Sequence, residues 1–330
     1  MNEEQQPLFK HILVTGAGGY IGRQLIGSLA ADPGGLETIV AADLRPVPEE
    51  ARLPGVQYLA ADICDPALGD HMARFKTELV VHLAAVVTPG KQSDRRLEYK
   101  VDVEGTANVL AACTRTGVRK LIYTSSGAAY GYHADNPAWI DEDTPVRGNP
   151  EFAYAHHKRL VEEMLARSRV EHPELEQLIF RSGTILGATA RNQITNLFDQ
   201  PRIIGLKGAD SPFVFIWDQD VVGAIRQGIF QGGSGIYNLA GDGAMTLPEI
   251  ARRLGKRYLA LPVGLVTAAL RVGKRLGLTQ YGPEQVGFLR YRPVLANRRL
   301  KEIYGYKPRK STRETFEYFL EQRRHAAQTA

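Results

Sequence analysis

Cysteine is nearly absent: the chain holds only Cys64 and Cys113. Two thiols without metal-like spacing support neither a disulfide framework nor a zinc site, so no metal is expected. Long apolar runs are missing as well. The most apolar stretch, near Leu259–Leu270, is too short to span a bilayer and runs into Arg271, Lys274 and Arg275. No secretory leader is visible, because residues 1–7 (MNEEQQP) are acidic and polar. Repeats and low-complexity segments are lacking too. These absences point to a reducing, cytoplasmic setting without a membrane partner.

Charge of one sign does not dominate the whole chain, whose net charge is +5. It is unevenly spread, however. Residues 251–330 carry 18 Lys/Arg against 5 Asp/Glu, a balance of +13, so residues 1–250 carry −8. A basic tail can serve nucleic acid or an anionic lipid surface. Here the charges are scattered among apolar residues without interleaved aromatics. The expectation is therefore solvated helix faces, with an Arg or two facing a phosphate-bearing ligand, and no nucleic-acid partner.

The first half alternates apolar runs with amphipathic stretches. His11–Thr15, Thr38–Asp43, Val56–Asp62, Leu79–Ala85, Lys120–Ser126 and Glu176–Ser182 read as strands. Helices are expected over Tyr20–Ala31, about 95–116 and about 151–168. Nearly continuous apolar strands belong to a parallel sheet buried on both faces. The βαβ alternation thus predicts an α/β fold, a doubly wound parallel sheet of Rossmann type, with its ligand beyond the carboxyl ends of the strands. Residues 1–183 are expected to form the dinucleotide-binding domain. Residues 184–330 are expected to form a smaller mixed α/β, mainly substrate-binding region, some segments of which return to the sheet. Strands Phe213–Trp217 and Ile236–Ala240 and helices Asp218–Phe230, Leu247–Leu254, Pro262–Leu276 and Thr312–Arg323 are read there.

Gly16, Gly19 and Gly22 stand at GxxGxxG spacing between a strand and a helix. The first allows a sharp turn, the second lets backbone approach a pyrophosphate, and the third lets helix and sheet pack closely. Tyr20 and Ile21 open the helix whose free N–H groups face that anion. Asp43 ends the next strand, where a carboxylate can accept both ribose hydroxyls and repel a 2′-phosphate. This favours NAD, while Arg45 keeps NADP open; Leu44 lies between them. Asp62-Ile63 and Leu83-Ala84-Ala85 end the next two strands, as an adenine contact and as small residues against the cofactor.

Tyr154 and Lys158 are four apart on one helix face. A free tyrosine, with a pKa of about 10, is a poor base at neutral pH. A nearby ammonium and a positive nicotinamide ring both favour the phenolate. Ser126, at a strand end, can hydrogen-bond the same substrate oxygen. Ser125 should face the other way. His156 and His157 read as surface or packing residues, and His82 as a satisfied buried histidine.

Together, GxxGxxG, Asp43, HLAA (82–85), TSSGAAYG (124–131) and YAHHK (154–158) resemble the extended short-chain dehydrogenase/reductases, specifically the NAD-dependent epimerase/dehydratase family typified by UDP-galactose 4-epimerase. That resemblance implies an enzyme with Ser126, Tyr154 and Lys158 as its catalytic set. It also implies cofactor contacts at Tyr154, Lys158 and Ser182, and substrate contacts at Thr88, Ser126, Gly127 and Thr184. A homodimer through the helices at 95–116 and 151–168 is implied as well. The chain departs from the family at three places. Gly127-Ala128 replace the Asp-Glu of dehydratases, Asp102 replaces an Asn, and Ser182-Gly183-Thr184 lacks the Asn of many nucleotide-sugar enzymes. Dehydration is therefore disfavoured. A nucleotide-sugar epimerase is expected, with a dehydrogenase/reductase of a small hydroxy or keto substrate, or a non-catalytic dinucleotide sensor, as alternatives.

Overall fold

The computed structural model describes residues 7–86, 94–210, 212–279, 282–283 and 285–329. Seven parallel strands make the main sheet: β1 (His11–Thr15), β2 (Thr38–Asp43), β3 (Val56–Ala60), β4 (Leu79–His82), β5 (Lys120–Ser126), β6 (Glu176–Ser182) and, from the second half, a strand at Gly235–Leu239. Between β6 and that strand lie β7 (Thr184–Leu186), β8 (Arg202–Leu206) and β9 (Phe215–Trp217), which makes Gly235–Leu239 β10 and Arg257–Leu261 β11. The sheet order is β10-β6-β5-β4-β1-β2-β3. Sequence order reverses between β1 and β4, which opens a crevice at their carboxyl ends.

Alternation along each strand explains the two-sided burial. Ile12 and Val14 pack with Leu25 and Leu29 of the helix Tyr20–Ala31 on one face. Leu13, between them, packs on the other face with Val109, Val161 and Leu165. A third core, rich in phenylalanine (Phe198, Phe213, Phe215, Phe316, Phe319), holds the second half together.

The second half is interleaved with the first. β10 pairs with β6, and the helix Asp218–Phe230 packs against the helix Tyr20–Ala31. A buried network fastens this join. Arg181 on β6 donates to Glu162 (2.6 Å) and to the hydroxyl of Tyr130 (2.9 Å), and Tyr130 donates to Asn238 on β10 (2.8 Å).

Three short strands (β7, β8 and β11) and the short helices Leu68–Arg74, Gln193–Asp199, Gln285–Arg290 and Arg298–Glu302 lie outside the sequence expectation. Such elements are too short to show a period. The long helix expected at 95–116 contains a π-helical turn, Lys100–Gly105, which re-aims the residues it carries. Its partner runs Ala153–Glu171, slightly beyond the expected end.

Candidate active site

The glycine turn is built as its spacing requires. Gly16 adopts φ +68°, and a Cβ there would lie 2.5 Å from the Ala84 nitrogen. A Cβ on Gly22 would overlap the Gly16 carbonyl oxygen and the Ala17 Cα. Gly22→Ala is therefore expected to cost about 1–3 kcal/mol by overpacking and to weaken dinucleotide binding, as read from thermal melts with and without NAD. The helix at Tyr20–Ala31 opens on Gly19 with no side-chain cap, so its first N–H groups stay available to an anion.

At the end of β2, Asp43 accepts from the N–H groups of Gly18 (2.9 Å) and Arg45 (3.2 Å). Its carboxylate thereby stands against the glycine turn. Leu44 and Arg45 are exposed beside it. Asp62 is exposed and accepts from the Cys64 N–H (2.8 Å), a local turn contact. Ile63 is buried against Gly105. Thr88 lies outside the described residues.

A cavity of about 410 Å³ runs from the glycine turn to the second half of the chain. Of the residues singled out from sequence, Gly16, Gly19, Tyr20, Ile21, Gly22, Leu83 and Ala85 line its first part. Ser126, Gly127, Tyr154, Lys158, Ser182 and Thr184 line the middle. Asp43, Leu44, Arg45, Asp62, Ile63 and Ala84 are not in its wall. The Tyr20 hydroxyl donates to Asp218 (2.6 Å), so its ring rather than its hydroxyl is offered to the cavity. The Ser182 Oγ is buried with no hydrogen-bond partner among the described residues.

Lys158 is buried and held from beneath. Its ammonium donates to the Tyr123 hydroxyl (2.8 Å) and to the Thr124 carbonyl (3.0 Å), and lies 5.7 Å from the centre of the Tyr154 ring. Burial lowers its pKa to about 8, against the opposing pull of Asp102 and Glu162. Burial also raises Tyr154 above the ordinary tyrosine value, while the Ser126 hydroxyl acts to lower it. Thus Tyr154 is a protonated phenol in the protein alone, and a further positive charge at its face is needed to make it a base. Ser125 points elsewhere and donates to Glu162 (2.6 Å).

Asp102 stands on the π-helical turn and is buried. One of its oxygens accepts from the Val86 N–H (2.8 Å), and the other meets Nδ1 of His157 (3.2 Å). It therefore anchors the chain just after β4, and the buried His157 is its packing partner. His82 is also buried, bridging the hydroxyls of Thr15 (2.7 Å) and Thr106 (2.9 Å), and burial lowers its pKa to about 3.

The far part of the cavity was not legible as a site from sequence. Tyr132, Arg191, Asn192, Phe288 and Arg292 line it. Arg292 lies between two rings, its guanidinium carbon 4.0 Å from the centre of Phe213 and 4.6 Å from that of Phe288. Its Nη1 is buried with no hydrogen-bond partner among the described residues. Burial lowers its pKa to about 10, which leaves it charged at neutral pH. The only sequence signal for it was the basic balance of the C-terminal region.

A switch-point crevice with a glycine turn at one end and a Ser–Tyr–Lys cluster in its middle defines a dinucleotide-binding α/β protein. The family model "NAD dependent epimerase/dehydratase family" matches residues 12–202. The chain belongs to that family, whose members are enzymes of the extended short-chain dehydrogenase/reductase type. An uncharacterized protein of Mycobacterium tuberculosis is 24% identical over 314 residues, 94% of this chain and 83% of that protein. A UDP-glucose 4-epimerase of Mycolicibacterium smegmatis is 29% identical over 328 residues, 93% of this chain and 97% of that protein. The UDP-glucose 4-epimerase of Thermus thermophilus, solved with NAD, matches with a TM-score of 0.72 at 24% identity, covering 96% of this chain and 99% of that one. No helix among the described residues is long and apolar enough to cross a membrane.

Proposed function

We propose that this enzyme uses NAD to oxidise and re-reduce a carbinol carbon of a nucleotide sugar, as an epimerase. One observation carries the reading. A single cavity joins the Ser126–Tyr154–Lys158 cluster to a half-buried, charged Arg292, whose Nη1 is buried with no hydrogen-bond partner among the described residues. A neutral small substrate would leave that Nη1 without a hydrogen bond. A diphosphate-linked sugar supplies the missing anion, and a planar guanidinium suits phosphate oxygens. The likeness to a UDP-glucose 4-epimerase over nearly the whole chain supports the same reading.

The residues present fit NAD. The glycine turn leaves room where any Cβ would intrude, and Asp43 stands where a 2′-phosphate would be repelled. When bound, NAD supplies the hydride acceptor and a positive ring. The chain's own residues do the rest. Tyr154 takes the proton of the substrate hydroxyl and later returns it. Lys158, fixed by Tyr123 and Thr124, favours the phenolate through its charge. Shifting a tyrosine from about 10 to near 7 requires roughly 4 kcal/mol of differential interaction, within reach of close charges in a partly dry site. Ser126 hydrogen-bonds the same substrate oxygen. Gly127 and Ala128 bring no acid to the neighbouring carbon, which argues against dehydration.

The test is to purify the protein without added cofactor, release its nucleotide by denaturation, and incubate the native enzyme with UDP-sugars. Retained NAD together with interconversion of sugar epimers supports the reading. An empty site that binds NAD reversibly, with net oxidation of a small hydroxy compound, would replace it with a dehydrogenase. We include the homodimer in this proposal, because Leu97 and Tyr99 are exposed on the helix Arg95–Tyr99.

A further inference from the structure

The helix Val263–Arg275 has no buried residue. Its sequence explains why one side stays uncovered. Leu265, Ala269, Val272 and Leu276 recur at i, i+4, i+7 and i+11, one strip along the helix and its C-cap. All four are exposed, with Leu265 at 57%, Val272 at 57% and Leu276 at 65%. Leu278, just beyond, is 78% exposed. The less exposed residues, such as Val266 and Leu270, lie on a different side and are half-buried. The strip is therefore not the face by which the helix is held.

The charges beside the strip are of one sign. Arg275 flanks it in the helical projection and Arg271 lies one step further round the same side, while Lys274 falls on the far side of the helix. Between Glu249 and Glu284 the chain has seven basic residues and no acidic one. From sequence alone these charges read as scattered, solvated positions. The helix gathers two of them, Arg271 and Arg275, on one side of an exposed apolar strip.

We propose that this helix docks the enzyme on an anionic lipid surface, lying in the interface with its apolar strip inserted and its basic flank against the headgroups. Apolar burial and attraction to anionic headgroups act together in such helices. A second copy of this chain is a poorer occupant. Pairing the strip with itself brings like-charged flanks together, with no acidic residue in the segment 250–283 to offset them. The helix packs against Gln285–Arg290, which carries Phe288 of the cavity wall. Docking would thus set the substrate end of the cavity close to the surface.

The experiment is co-sedimentation of the purified full chain with phosphatidylcholine vesicles, with and without added phosphatidylglycerol, at low and high salt. Binding to the phosphatidylglycerol vesicles is expected to exceed binding to pure phosphatidylcholine by about tenfold or more, given roughly 1 kcal/mol for each basic residue at an anionic surface. It should weaken with salt. Leu265→Gln/Val272→Gln/Leu276→Gln should abolish it, and Arg271→Glu/Arg275→Glu should reduce it by about tenfold or more. All of these side chains are exposed, so unchanged thermal melts are expected and confirm folding. Equal binding by the glutamine variant, or no preference for phosphatidylglycerol, overturns the proposal. So does a wild-type oligomer that the glutamine variant dissociates, since a second copy would then cover the strip. None of these readouts depends on NAD or on sugar turnover.

Discussion

Tyr154→Phe is expected to lower kcat by about 10²- to 10⁴-fold, the usual contribution of a positioned acid/base group. NAD affinity and the melting temperature should change little. The ring is kept, so packing against the cavity wall is preserved, and only the hydroxyl facing Ser126 is lost. Lys158 would still be held by Tyr123 and Thr124. The cleanest readout is a single turnover, following NADH absorbance after adding the substrate to the NAD-loaded enzyme. Full-rate reduction in the variant would remove Tyr154 from the mechanism. A non-catalytic dinucleotide sensor predicts a different pattern, with no reduction in either protein.

Arg292→Met is expected to separate binding from stability. The KM for a nucleotide sugar should rise roughly 30- to 150-fold, corresponding to about 2–3 kcal/mol for lost bonds to a charged group, with a smaller change in kcat. Stability should rise instead of falling. In the wild-type protein Arg292 is half-buried, its Nη1 is buried with no hydrogen-bond partner among the described residues, and burial lowers its pKa to about 10. Some cation–π attraction to Phe213 and Phe288 is lost, about 0.5–2 kcal/mol. Removing a charge whose Nη1 is buried without a hydrogen bond offsets that, and methionine fills the same slot between two rings. A rise in melting temperature together with a rise in KM would mark Arg292 as a binding residue held at the expense of the fold. An unchanged KM would show that the substrate anion lies elsewhere and would weaken the nucleotide-sugar reading itself.

The two predictions concern opposite ends of what sequence can reveal. Gly16, Gly19 and Gly22 are legible because one short turn needs all three. Tyr154 and Lys158 are legible because helical spacing places them on one face. Ser126 is legible because strand alternation separates it from Ser125. The strands of the sheet show themselves through runs of β-branched and apolar residues buried on both sides. In each case the physical cause acts over a few neighbouring residues, so the pattern lies in the order of the letters.

Tertiary structure decided the rest. Tyr123 sits beneath Lys158 because β5 and the helix Ala153–Glu171 are packed together, and no local spacing encodes that meeting. Asp102 reaches both Val86 and His157 because a π-helical turn aims it there. β10 returns to the sheet beside β6, so the division at residue 183 does not separate two independent bodies. Arg292 looks like one more basic residue in a basic tail until the fold places it between two phenylalanines at the end of a cavity. The strip on Val263–Arg275 could be read from sequence as an amphipathic helix, but only the fold shows which side is left bare. The sequence by itself determined the sheet, the glycine turn and the shared helix face of Tyr154 and Lys158, because each arises from local periodicity. What faces the substrate, and which surface stays open, depend on contacts between distant segments, which only packing can decide.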